Sequence, residues 1–184
     1  MSDGIKWLNA LSADDAEREL RTCCAAAAWA RRVAAARPFV DAPALGRTAD
    51  AAFAALGGSD IDEALRAHPR IGDRPRGRDR ESSWSRGEQA GVAGAAEDIV
   101  RNLHEGNIAY EERFGHVFLI CATGLSAGQM LTALRDRLGN DAATEREIVR
   151  AELLKITHLR LARLLERPLE RGSEHRSEHR LERQ

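Results

Sequence analysis

Only one stretch of this chain reads as a strand, and a strand needs a partner. Phe114-Gly115-His116-Val117-Phe118-Leu119-Ile120-Cys121 is β-like and apolar. Elsewhere β-branched runs are nearly absent, aromatics are few and alanine is very common. That composition favours helix on propensity alone. The expectation is an all-α, single compact multi-helix domain in which this short apolar segment lies buried and extended without a partner strand. The 184 residues suffice for one such domain with a real core.

Proline, glycine and capping residues divide the helical background. Ser12-Ala13-Asp14-Asp15 begins a capped helix. Helical character continues through Leu20 and Ala25 to Val33, and Arg37-Pro38 stops it. Asp41 with Pro43 starts the next helix, which Gly57-Gly58 ends. Ser59 or Asp60 caps a short helix that delivers His68. Residues 69–83 read as a polar loop, long for a compact domain. Ser85 caps the following helix with Glu88 at its third position, the spacing of a capping box. Helices follow over 95–110, from Ser126 to Leu138, and from about Ala142 to Leu165. The domain is expected to span 1–167. The tail 168–184, with its repeated Ser-Glu-His-Arg, is expected to be disordered.

Twenty-eight basic and 29 acidic residues leave a net charge of −1. This disfavours a dedicated nucleic-acid or membrane-surface binder. Arg70, Arg74, Arg76, Arg78 and Arg80 share a loop without the interleaved aromatics that nucleic-acid binding uses. Cys23, Cys24 and Cys121 form no CxxC pair and read as small buried hydrophobes. Neither a secretory signal nor a membrane-length apolar run occurs, so a cytoplasmic, reducing setting is expected.

Of six histidines, His68 stands apart. Imidazole titrates near neutrality. At a helix end, before a proline that redirects the chain, such a ring can be held at a cleft mouth. Glu88 has two readings. It closes the capping box with Ser85 and does nothing more, or the pair presents a carboxylate and a hydroxyl at a helix N-terminus to a polar or anionic small molecule. Arg160 is a solvated or ion-paired side chain, or a clamp for a carboxylate. No HExxH, GxSxG, P-loop or GxGxxG motif occurs, and no metal site is expected. An interaction module, with His68 and Glu88 as mere cap residues, is the non-enzymatic alternative.

Taken together, the motifs resemble a known family, 2-oxo-4-hydroxy-4-carboxy-5-ureidoimidazoline (OHCU) decarboxylase. They are Trp7-Leu8-Asn9-Ala10, Arg37-Pro38-Phe39, Ala67-His68-Pro69-Arg70-Ile71-Gly72, Ser85-Arg86-Gly87-Glu88-Gln89-Ala90-Gly91, Asn107 with Tyr110-Glu111, Arg113-Phe114-Gly115, Phe118 to Ala122, and Glu152-Leu153 through Lys155-Ile156 to Arg160-Leu161. They follow the family's order from residue 7 to about 165.

The resemblance implies an all-helical homodimer without a cofactor, decarboxylating a ureidoimidazoline to (S)-allantoin in urate degradation. It also implies functional coupling to hydroxyisourate hydrolase and urate oxidase. His68 would be the acid/base residue, with Glu88 and Arg160 beside it in the catalytic set. Pro69, Ser85, Arg86, Gly87, Glu88, Gln89 and the backbone of Ile120, Cys121, Ala122, Thr123 and Gly124 would contact substrate. The chain departs from the family at His116 and Val117, where a more apolar residue and a proline are expected. It ends Leu181-Glu182-Arg183-Gln184 rather than in the eukaryotic members' peroxisomal Ser-Lys-Leu.

Overall fold

The computed structural model of the chain describes residues 2–73 and 80–166. The expected tail and residues 74–79 of the arginine loop lie outside them. Among the described residues there are nine α-helices and one 3-10 turn: α1 (Asp3–Ala10), α2 (Ala13–Arg21), α3 (Ala27–Ala35), α4 (Ala42–Ala54), α5 (Gly58–Arg66), α6 (Arg80–Glu88), the turn Ala90–Val92, α7 (Glu97–Phe114), α8 (Ala127–Arg137) and α9 (Ala142–Leu165). No described helix is long and apolar enough to cross a membrane.

The expected caps are present where a short polar side chain meets a free amide. Ser12 accepts from the Asp15 N–H at 3.1 Å, and Asp41 from that of Ala44 at 2.7 Å. Ser126 and Gln129 form a reciprocal capping box; Asp141, not among the expected caps, also caps α9, accepting from Ala143 and Thr144. Four expectations need correction. The run from Asp14 to Val33 is two helices, broken over 22–26. Gly57 starts α5 rather than ending α4; its N–H donates to the Asp60 carboxylate at 2.9 Å, so Asp60 acts from inside the helix. The amino-terminal α1 was not foreseen. The helix carrying Ser85 begins at Arg80, within the expected 69–83 loop.

The helices form two apolar clusters. The larger joins Ile5, Leu8, Leu20, Trp29, Val33, Phe53, Ile61, Leu65, Val149, Leu153 and Leu164 from α1–α5 and α9. The smaller joins Ile71, Leu103, Tyr110, Phe118, Met130, Leu131 and Leu134, mostly from α7 and α8. Between them runs the extended segment 117–122, which pairs with no strand among the described residues. Successive side chains of extended backbone point to opposite faces. Leu119 and Cys121 accordingly pack on the larger cluster, while Phe118, Ile120 and Ala122 pack on the smaller. Burial on both faces explains the uninterrupted apolar run.

An ionic knot behind this segment holds α7, α8 and α9 together. Glu145 is fully buried. Its carboxylate accepts from Arg137 (2.8 and 2.5 Å), Asn140 (2.8 Å) and the Tyr110 hydroxyl. Burial alone would raise its pKa, but these hydrogen bonds hold the carboxyl below its ordinary value. The Arg137 guanidinium lies 4.6 Å from the Phe118 ring centre and donates to the Leu119 carbonyl at 2.7 Å. Removing one partner would strand a buried charge. Glu145→Ala should therefore destabilise the fold by about 3–5 kcal/mol in chemical denaturation; a loss under 1 kcal/mol would disprove this role for the knot.

Candidate active site

Helix α5 ends at Arg66, and the His68 N–H closes its last turn on the Leu65 carbonyl at 3.0 Å. The buried His68 ring turns back, with Nδ1 2.9 Å from the Ala64 carbonyl. A carbonyl only accepts, so Nδ1 carries the hydrogen and Nε2 the lone pair. That Nε2 is buried and has no hydrogen-bond partner among the described residues. Burial, and then the Arg160 charge, push the His68 pKa down to about 4 against partial offsets from the Ala64 hydrogen bond and Glu88. The ring is neutral at pH 7, with an unused basic nitrogen.

The turn after His68 is tied down group by group. Arg70 forks onto Glu111 at 2.6 and 2.7 Å. The Gln89 amide accepts from the Gly72 N–H at 2.9 Å and donates to the Arg70 carbonyl at 3.3 Å. Asn107, buried in α7, donates to the Ile71 carbonyl at 2.9 Å. Gly72 has φ +92°, a conformation side-chain-bearing residues rarely adopt. Pro69 is half-buried within this turn.

Ser85 and Glu88 lie in the middle and at the last position of α6, so both readings that placed them at a helix N-terminus are overturned. Their partners come from α9 instead. Arg160, itself buried, donates to Glu88 through Nε (2.9 Å) and Nη2 (2.8 Å), and Nη2 also reaches the Ser85 hydroxyl oxygen at 3.2 Å. Arg163 adds a third donor to Glu88 at 3.0 Å. Two guanidiniums against one carboxylate leave the site with excess positive charge. The planar fork of arginine suits this two-point grip.

The wall opposite is the segment Ile120–Gly124. The Cys121 N–H donates to Glu152 of α9 at 2.7 Å, and the Ala122 carbonyl accepts from the Leu125 N–H at 3.0 Å. Gly91 meets the chain immediately after this wall. A Cβ there would sit 1.9 Å from the Leu125 carbonyl oxygen, so only glycine lets the chain after α6 approach so closely. Burial first, then the Glu152 charge, raises the pKa of the half-buried Cys121 thiol; a Thr123 hydrogen bond and Lys155 oppose the rise, and Glu88 adds to it.

The structure thus brings His68, Ser85, Glu88, Arg160 and Cys121 into one electrostatic neighbourhood. Arg86, Gly87, Thr123 and Gly124 are exposed at its margin. Gln89 spends its amide on the His68–Gly72 turn. A separate cavity of about 810 Å³, lined by Asp62, Arg66, His116 and Arg146 among others, contains none of these residues. Sequence reasoning missed Arg163, and it placed Glu152 in a family motif without giving it a partner. Arg163 lies three residues after Arg160 on the same helical face, a spacing that could have suggested it.

The OHCU decarboxylase family model matches residues 9–162, which takes in every residue of this site except Arg163. The chain belongs to the OHCU decarboxylase family. It is a decarboxylase of urate degradation. Among its relatives is the uric acid degradation bifunctional protein TTL of Arabidopsis thaliana, 34% identical over 152 residues; the match takes in 80% of this chain and 47% of that longer protein. An OHCU decarboxylase of Amia calva is 32% identical over 146 residues, 78% of this chain and 81% of the relative. A crystal structure of OHCU decarboxylase in the presence of (S)-allantoin superposes with a TM-score of 0.71 at 30% identity, covering 81% of this chain and 98% of the other. That of (S)-allantoin synthase, 16% identical with a TM-score of 0.65, covers 87% of this chain and 53% of the other, and shares the fold.

The depressed His68 pKa ties stability to pH in this OHCU decarboxylase. The unfolded chain takes up the proton near pH 6.5 and the folded one near 4, so this contribution is fully present above 6.5 and is lost on acidification. The loss reaches roughly 3 kcal/mol by pH 4. Urea unfolding between pH 6.5 and 5 should show this slope, and His68→Asn should flatten it. Equal slopes in the two proteins would contradict the assignment.

Proposed function

We propose that this OHCU decarboxylase works without a cofactor, with His68 as its acid/base residue and Glu88, oriented by Arg160, as its substrate anchor. The observation that carries this reading is the buried, unpartnered Nε2 of a neutral His68 beside a rigidly held carboxylate. The family substrate bears its carboxylate on a carbon that also carries a hydroxyl and a ring nitrogen. When the bond to that carboxylate breaks, carbon dioxide leaves and the electron pair moves into the adjacent C=N of the ring. His68 Nε2 accepts the hydroxyl proton, and the imidazolium then returns a proton to one face of the enol-like carbon. The ring nitrogen takes its proton from solvent. The electron sink belongs to the substrate, so the protein's tasks are positioning, charge and proton delivery.

Glu88 accepts three N–H bonds from Arg160 and Arg163. A carboxylate has about four acceptor positions, which leaves room for one ureido or ring N–H of the substrate. The excess positive charge favours an anionic substrate. Pro69, Ser85 and the Ile120–Gly124 backbone complete the pocket in this reading, while Gln89 acts by shaping the His68 turn. The chain acts as a homodimer in the cytoplasm, alongside urate oxidase and hydroxyisourate hydrolase. Three free cysteines suit a reducing compartment.

Positioned acid/base catalysis contributes about 10²–10⁴-fold. Urate oxidase and hydroxyisourate hydrolase generate the unstable substrate in situ, and circular dichroism follows optically active allantoin. Wild-type protein should give (S)-allantoin faster than the spontaneous racemate. His68→Asn should lower the catalysed rate at least about 100-fold while remaining folded. Near-normal turnover in the folded variant would remove His68 from this role.

A further inference from the structure

Glu152 belongs to the Glu-Leu-x-Lys-Ile motif of α9, yet the mechanism above leaves it without a task. The structure gives it two contacts. Oε2 accepts from the Cys121 N–H at 2.7 Å, and Oε1 pairs with Lys155 Nζ at 2.6 Å. In extended backbone the N–H and C=O of one residue point to the same edge, and those of the next residue to the opposite edge. The Leu119 carbonyl, on the same edge as the Cys121 N–H, is taken by Arg137 at 2.7 Å. One edge of the lone extended segment is therefore pinned by two side chains. On the other edge, the N–H and C=O of Ile120 and the N–H of Ala122 have no partner among the described residues.

We propose that Glu152 is a positioning residue for the decarboxylation: it sets the reach of the Ile120–Ala122 open edge, which binds the polar atoms of the substrate. The inference rests on the functional reading above. Glu152 and Arg160 are eight residues apart on α9, about 12 Å along the helix axis. One rigid helix thus fixes the open edge through Glu152 and the Glu88 carboxylate through Arg160, and so sets the distance between the two walls. A misplacement of about 1 Å can cost about 100-fold in rate.

Length and charge separate this role from others. Glu152→Gln keeps the reach and an acceptor oxygen for the Cys121 N–H but loses the charge. Glu152→Asp keeps the charge and is one methylene short. Both are conservative variants whose kcat and KM are measured in the coupled assay, with melting temperature recorded alongside. If the inference holds, Gln stays within about threefold of wild type in kcat/KM, and Asp falls tenfold or more with a reduced excess of (S)-allantoin. Were Glu152 to act by its charge, Gln would be the worse variant. If it were a stabilising contact only, melting temperatures would shift while kcat, KM and product handedness of the folded proteins stayed at wild-type values. Either result overturns the inference. A wild-type protein without catalysed (S)-allantoin formation would instead refute the functional reading.

Discussion

A solitary extended segment in a helical protein poses a problem of unpaired backbone. Each buried N–H or C=O left without a partner costs about 1–3 kcal/mol. Residues 117–122 have no neighbouring strand among the described residues, so side chains from α8 and α9 supply bonds along one edge. Arg137 takes the Leu119 carbonyl and Glu152 takes the Cys121 N–H. Much of the architecture follows from this constraint. Arg137 needs a buried counter-charge, which Glu145 provides, and Glu145 draws in Tyr110 and Asn140. The two apolar clusters meet across the segment because both of its faces are apolar.

The site has the same character of buried polarity compensated from a distance. Glu88 and Arg160 are both nearly inaccessible, and such a pair is justified only by close geometry and further hydrogen bonds. Arg163 and Ser85 supply those bonds. His68 is different, because it satisfies one nitrogen on Ala64 and leaves the other without a partner among the described residues. A buried group left unsatisfied in an otherwise well-bonded surround suits a place where substrate is to bind.

Local chemistry was legible in the sequence, and distant chemistry was not. Ser12, Asp41 and Ser126 cap helices through amides three residues away, so their roles could be read directly. The helix end that delivers His68 could be read for the same reason. Ser85-x-x-Glu88 was misread because its spacing fits a helix start equally well; its true partner, Arg160, lies 72 residues from Glu88. Glu145 carried no warning, since Tyr110 and Arg137 meet it only after three helices pack. Glu152 stands in a family motif, but the amide it serves lies 31 residues away. The family motifs gathered Ser85, Glu88, Glu152 and Arg160 before geometry could.

Helix α9 carries Glu145, Glu152, Arg160 and Arg163, so its length acts as a reading frame. Each residue of an α-helix advances the azimuth by about 100°. A single inserted or deleted residue between Glu145 and Arg160 would leave the ionic knot in place and swing Arg160 away from Glu88. No neighbouring loop could absorb the change. Natural variation in this helix is therefore expected as substitution alone, with changes of length confined to the connections between helices.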